Sequence, residues 1–196
     1  MGAAKPYGIG FGRIKNIKVS SKGQFCCGLW SIKSIMMLKE SVSVPFSLFD
    51  RLDDLDTGMR ELFLLAEEAG RHAYAPYSRF MVGAALLLED GTRIPGGNQE
   101  NASYPLCMCA ERVALYAAAA LRPGKKILQL AVTARRQEER ELVPATPCGG
   151  CRQVIFEFEQ RQKSPIRILL MGPGRKYHLF DSAARLLPLA FDRESL

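Results

Sequence analysis

From Asp56 onward the chain alternates between two hydrophobic rhythms. In "DTGMRELFLLAEEAGRHAY", Met59, Leu62, Phe63, Leu65, Ala66 and Ala69 recur at helical spacing, with Asp56 or Thr57 placed to cap the first turn. "APYS" ends that helix. "RFMVGAALLLEDGTRIPGG" then predicts two strands joined at Asp90-Gly91, a dipeptide suited to a hairpin turn. A second helix is predicted from just after Cys109 to about Leu121, stopping before "RPGKK". "ILQLAVTA" predicts a buried strand, and the mixed-charge "RRQEEREL" behind it a solvated loop. "CRQVIFEFEQ" predicts a third helix that ends before Pro165, and "IRILLM" another buried strand. "YHLFD" closes the series as a short strand, with "LLPLAF" as a terminal turn or helix. Helices alternating with hydrophobic strands predict an α/β layered sandwich.

Residues 1–52 break the rhythm. They are basic, rich in glycine and serine, and carry no sustained period, so they predict an extension ahead of a domain at 53–196. This division changes the meaning of the charge. The chain has 27 Lys and Arg against 20 Asp and Glu, which suggests an affinity for nucleic acid. Residues 1–44, however, hold seven of the bases and a single acid, leaving 20 bases and 19 acids for the rest. A nearly neutral domain argues against nucleic acid as partner. No apolar run approaches the roughly 18 to 20 residues of a membrane span, so no membrane partner is expected.

Six cysteines come as Cys26-Cys27, Cys107-x-Cys109 and Cys148-x-x-Cys151. Close pairs without a secretory signal point to metal or redox chemistry in a reducing, cytoplasmic setting. Cys148 and Cys151 have the spacing at which two thiolates share one zinc, and Cys109 supplies a third. Both clusters open helices, where backbone N–H groups favour thiolates. Three protein ligands leave a fourth position for water. Glu111 lies two residues past a ligand and can carry protons for that water without ligating, while Arg112 can donate to the sulfurs and offset their charge. Two other readings stay open on spacing alone: a closed structural site that adds Cys107 as fourth thiolate, and a redox pair at Cys148 and Cys151. His72 and His178 stand outside both clusters.

"AYAPYSRFMVGAALLLEDG", "GGNQENASYPLCMCAERVALYAA" and "PCGGCRQVIFEF" closely resemble the small, homotetrameric, zinc-dependent cytidine deaminases. The wider zinc deaminase class carries an H-x-E…P-C-x-x-C pattern in which Cys can replace His; here it reads Cys109-x-Glu111…Pro147-Cys148-x-x-Cys151. The resemblance runs from about Thr57 to Phe191. It implies a three-layer α/β/α sandwich with a central mixed sheet, and one Zn²⁺ per subunit on Cys109, Cys148 and Cys151. It further implies Glu111 as proton shuttle. Asn98-Gln99-Glu100 corresponds to the family's Asn-x-Glu, which holds the ribose 3′-hydroxyl. Phe80 falls where an aromatic packs near the pyrimidine, and Phe191 where a phenylalanine reaches a neighbouring subunit's site.

The implied reaction is hydrolytic deamination of cytidine and 2′-deoxycytidine to uridine and deoxyuridine, with release of ammonia. A relative acting on another aminated pyrimidine or on a blasticidin-type nucleoside is the alternative. Pro105 stands where relatives usually have glycine, and Cys107 is an added thiol.

Overall fold

The computed structural model describes residues 41–195. The Cys26-Cys27 pair and most of the basic extension lie outside them. One mixed six-stranded sheet organises the described chain, in the order β1-β6-β5-β4-β2-β3. Its strands are β1 (Ser47–Phe49), β2 (Phe80–Leu88), β3 (Arg93–Gly97), β4 (Ile127–Arg136), β5 (Arg167–Met171) and β6 (Tyr177–Phe180). Only β4 and β5 pair in parallel; every other pairing is antiparallel. The helices are α1 (Thr57–Arg71), α2 (Ala110–Leu121) and α3 (Gly149–Gln162). As α3 links the parallel pair β4 and β5, it forms the crossover such a pair requires.

Alternation along the strands sorts residues between the two faces. Ala84, Leu86, Leu88, Leu130, Val132, Ile168 and Leu170 share one core with Ala114 and Leu115 of α2 and Ile155 of α3. Ala85, Ala131, Leu169 and Met171 face the other way, against Met59, Leu62, Phe63 and Ala66 of α1. Strands buried on both faces read as continuous apolar runs, which is why "IRILLM" and "ILQLAVTA" show no alternation of polarity. The result is the expected three-layer α/β/α sandwich.

Helix α1 begins where its sequence says it should. Asp56 Oδ1 accepts a hydrogen bond from the Met59 N–H at 2.9 Å, which satisfies one of the unpaired first-turn donors. The helix lies so close to the sheet that a Cβ on Gly83 would run into the Ala66 carbonyl oxygen. Only glycine fits beneath α1 at that point. Phe63 is fully enclosed between the layers, and truncating it to alanine would cost about 3–5 kcal/mol.

Two elements differ from the sequence reading. Strand β4 continues through Arg135 and Arg136 because the first residues of β2 pair with them, Met81 opposite Arg135 and Phe80 opposite Arg136. Pairing with β2, which hydropathy does not report, carries these charged residues into the sheet. Ser47–Phe49, in the stretch without a sustained period, pairs with Leu179, His178 and Tyr177 of β6. Phe46 stacks on His178 with ring centroids 4.6 Å apart, and Lys176 Nζ meets Asp50 Oδ1 at 2.9 Å.

The chain segments that approach the site are laced by main-chain bonds. Gln99 and Met108 exchange N–H···O contacts, both at 2.8 Å, and Tyr74 bonds to the Asn98 carbonyl on one side and the Glu100 N–H on the other. The end of β3 is thereby fixed beside the residue that precedes Cys109.

Candidate metal centre and catalytic turn

Helices α2 and α3 present their N-termini to one point. Cys109 is the N-cap of α2 and Cys148 the N-cap of α3, both with extended backbone, and Cys151 lies in the first turn of α3. The three sulfurs lie within 4.8 Å of one another, with Cys109 and Cys148 at 4.0 Å. A tetrahedral ion with Zn–S bonds near 2.3 Å places two sulfurs about 3.8 Å apart. The observed separation is close to this, and three thiol donors of this softness fit Zn²⁺. Cys107 is not part of the group: its sulfur receives the Asn101 N–H at 3.2 Å and contacts the Asn101 carbonyl at 3.6 Å. A closed four-thiolate site through Cys107 is therefore not what these residues form.

Electrostatics within the cluster are unequal. Hydrogen bonding with Cys151, joined by the Arg112 guanidinium, lowers the Cys109 thiol to about 5 against the cost of its burial. The same bond to Cys109, together with burial and the Glu111 charge, pushes Cys151 upward. Ionisation is thus favoured at Cys109 and opposed at Cys151, and a bound dication would favour it at both.

Arg112 Nη2 donates to the Cys109 sulfur at 3.5 Å and to the Cys107 carbonyl at 3.4 Å, so one side chain ties the thiolate to the loop before it. Glu111, on the same turn, is only 3 % exposed. Burial raises its carboxyl pKa, and the charge on Cys109 adds to the rise. A carboxyl held beside a metal-ligand cluster and above its ordinary range is able to accept and return a proton.

The remaining residues singled out in the sequence gather at the end of β3 or on the far side of α3. Asn98 Oδ1 accepts from the Val82 N–H at 2.8 Å, and its Nδ2 donates to the Phe80 carbonyl at 3.0 Å. The amide thus bridges to the first residues of β2, and Phe80 is half-buried beside it. Gln99 makes a long contact from Nε2 to the Gly97 carbonyl at 3.5 Å. Glu100 Oε2 accepts from the Tyr77 and Ser78 N–H groups at 2.9 and 3.2 Å, and bonds from Ser78 and Tyr77 hold its carboxyl below the ordinary range. Phe191 stands apart, with its ring exposed and its carbonyl bonded to Gln153 of α3.

Arg152, directly after Cys151, was not singled out. Its Nε donates to the Pro147 carbonyl at 2.8 Å, closing the turn that carries Cys148. The available signal was an arginine immediately past a ligand cysteine, the same juxtaposition that marks Arg112.

Residues 57–164 match the family described as the cytidine and deoxycytidylate deaminase zinc-binding region. The chain belongs to that family. It is similar to a cytidine deaminase of Sporosarcina psychrophila, 40% identical over 139 residues that span 70% of this chain and 94% of that one. It is also similar to a cytidine deaminase of Halalkalibacterium halodurans, 49% identical over 132 residues, 67% of this chain and 92% of the relative. Among solved structures, the cytidine deaminase of Burkholderia pseudomallei superposes with a TM-score of 0.56 at 42% identity, covering 67% of this chain and 97% of the other. As a member of the deaminase family the protein is a zinc-binding hydrolase, and the cysteine triad is its metal site. No helix among the described residues is long and apolar enough to cross a membrane.

Proposed function

We propose that the protein hydrolyses cytidine and 2′-deoxycytidine to uridine and 2′-deoxyuridine, releasing ammonia. The observation that carries this reading is the buried Glu111 carboxyl on the same helical turn as the thiolate Cys109, within the triad Cys109, Cys148 and Cys151. Cys109, Cys148 and Cys151 would hold the Zn²⁺ ion, which would supply Lewis acidity toward a water.

Glu111 serves as the proton carrier. As water adds to C4 of the base, Glu111 accepts its proton and delivers it to N3. It then takes the proton of the new C4 hydroxyl and hands it to the amino group, which leaves as ammonia while the C4–N bond breaks and the C4–O bond becomes the carbonyl. A carboxyl raised by burial suits both duties, because accepting and returning a proton is easiest when its pKa approaches the working pH. Arg112, held on Cys109, offsets the charge of three thiolates.

Asn98 and Glu100 bind the sugar, with Gln99 between them. Their side chains already order the 77–82 segment, so the groups that meet the 3′-hydroxyl are fixed before substrate arrives. A loop that clasps a free 3′-hydroxyl disfavours polynucleotide, whose 3′-oxygen is esterified. Phe80 packs against the pyrimidine. The assembly is a homotetramer with one Zn²⁺ per subunit, in which Phe191 of one copy faces the base bound by a neighbour. The catalytic domain spans 53–196 and takes in one strand from ahead of that boundary, β1, which pairs with β6; a reducing cytoplasm suits thiols that must stay free to bind metal.

Ultraviolet absorbance of cytidine with purified zinc-loaded protein tests the reading. Loss of the cytosine signal matched by equimolar ammonia is expected. A flat trace from protein that holds one zinc per chain would refute the substrate.

A further inference from the structure

Helix α3 holds the C-terminal segment at three heights. Near its C-terminal end the buried Glu159 accepts the Ala183 N–H at 2.8 Å and the Ser182 hydroxyl, and also the Ile166 N–H at 2.8 Å. In the first turn Arg152 Nη1 donates to the Leu186 carbonyl at 3.3 Å, and one residue on, Gln153 Nε2 donates to the Phe191 carbonyl at 2.7 Å. The segment therefore runs back along α3 from residue 182 toward the turn that carries Cys148 and Cys151.

Gln153 is the last of these ties, and its partner is Phe191 itself. Successive helical residues are rotated by about 100°, so Gln153 leaves α3 on nearly the opposite side from Cys151, two residues earlier. The strapped segment thus lies across the helix from its own sulfur cluster. It still exposes two large apolar side chains, Leu189 at 88 % and Phe191 at 59 %. Apolar groups turned outward from a tethered main chain are free to meet another surface.

We infer that Gln153 is the positioning residue for Phe191: its amide on the Phe191 carbonyl fixes where the phenyl ring leaves the subunit, and so how it meets a base bound in a neighbouring copy. This rests on the proposed role of Phe191. Gln153 places its amide on that carbonyl and is not among the three cysteines of the metal cluster. A residue that acts only by orienting a base contact shifts substrate affinity more than the chemical step. Because it acts through Phe191, its effect vanishes once the ring is gone.

The test uses the full-length zinc-loaded protein as Gln153→Leu, Phe191→Ala and the double variant. Cytidine kinetics, zinc content and deuterium exchange of the peptide over 186–194 are compared. Gln153→Leu keeps the side-chain size and removes the donor. It is expected to speed exchange of that peptide, leave exchange over 148–151 and the zinc content unchanged, and raise KM about three- to tenfold with kcat within twofold. The double variant is expected to match Phe191→Ala alone. Unchanged exchange in 186–194 would overturn the inference even if cytidine proved not to be the substrate. Multiplying effects in the double variant would overturn it as well, since Gln153 would then act by another route. If Phe191→Ala leaves KM unaltered on a protein that does deaminate cytidine, the assigned role of Phe191 fails and the inference falls with it.

Discussion

Arg112 and Cys109, three residues apart on α2, are joined by a donor contact of 3.5 Å from Nη2 to Sγ. The contact puts a fixed positive charge against a thiol whose ionisation it favours. Replacing Arg112 with alanine removes that support and the link to the Cys107 carbonyl together. Zinc affinity is expected to fall about 10- to 100-fold, the usual penalty for losing a partner behind a metal ligand. Competition against a chromophoric chelator measures it, and unchanged affinity would mean that the guanidinium only orders the loop.

Glu111 is a different kind of neighbour. Glu111→Gln retains the shape and burial of the side chain but cannot ionise, so metal content should stay at one per chain. Turnover should fall by about 10²- to 10⁴-fold, the range that general acid–base catalysis contributes. Activity within a few-fold of the parent would exclude the proton-carrying role.

Glu100 makes a prediction about acid. Its carboxyl lies below the ordinary 4.5 because Ser78 and Tyr77 bond to the charged form. A depressed folded pKa means that the clamp's contribution is fully present above the ordinary value and is lost as pH falls through the depressed one. The backbone amide resonances of Tyr77 and Ser78 should therefore titrate with a midpoint below 4.5. Glu100→Gln should abolish that titration and raise KM for the nucleoside. A midpoint above the ordinary value would contradict the geometry.

Lys163 closes α3 in the left-handed region, at φ 52° and ψ 37°, where its N–H still reaches the Gln160 carbonyl. A side chain there costs about 1–2 kcal/mol that glycine avoids. Lys163→Gly should raise the melting temperature by roughly 2–4 °C per kcal/mol gained in a chain of this size. Calorimetry decides it, and a lower melting temperature would show that the lysine makes a contact worth more than the strain.

The ligand cluster was legible because each half of it is local: a cysteine at a helix opening followed by a carboxylate, and two cysteines a turn apart. The faces of α1 and the hairpin at Asp90-Gly91 were legible for the same reason. What escaped depends on partners far away in sequence. Ser47–Phe49 becomes a strand only because β6, some 130 residues later, offers an edge. Arg135 and Arg136 belong to β4 because β2 pairs with them, although their charge alone suggests a loop. Gln153 looks like any helical glutamine until a main-chain carbonyl 38 residues on reaches it. The resemblance pointed to Asn98 and Glu100 as sugar-binding residues, but hydropathy alone would not have shown that they hold the 77–82 segment together.

The separation of 39 positions from Cys109 to Cys148 orders events at the ribosome. Helix α1, strands β2 and β3 and the opening of α2 emerge first, and Cys109 with them. Strand β4 must follow before the second and third sulfurs leave the exit tunnel. Throughout that interval Cys109 lacks both sulfur partners, so a chain stalled ahead of α3 can begin its core but cannot hold an ion on three thiolates. Metal loading is accordingly a late step of biosynthesis. Every chain that carries zinc on the triad has therefore been translated at least as far as α3.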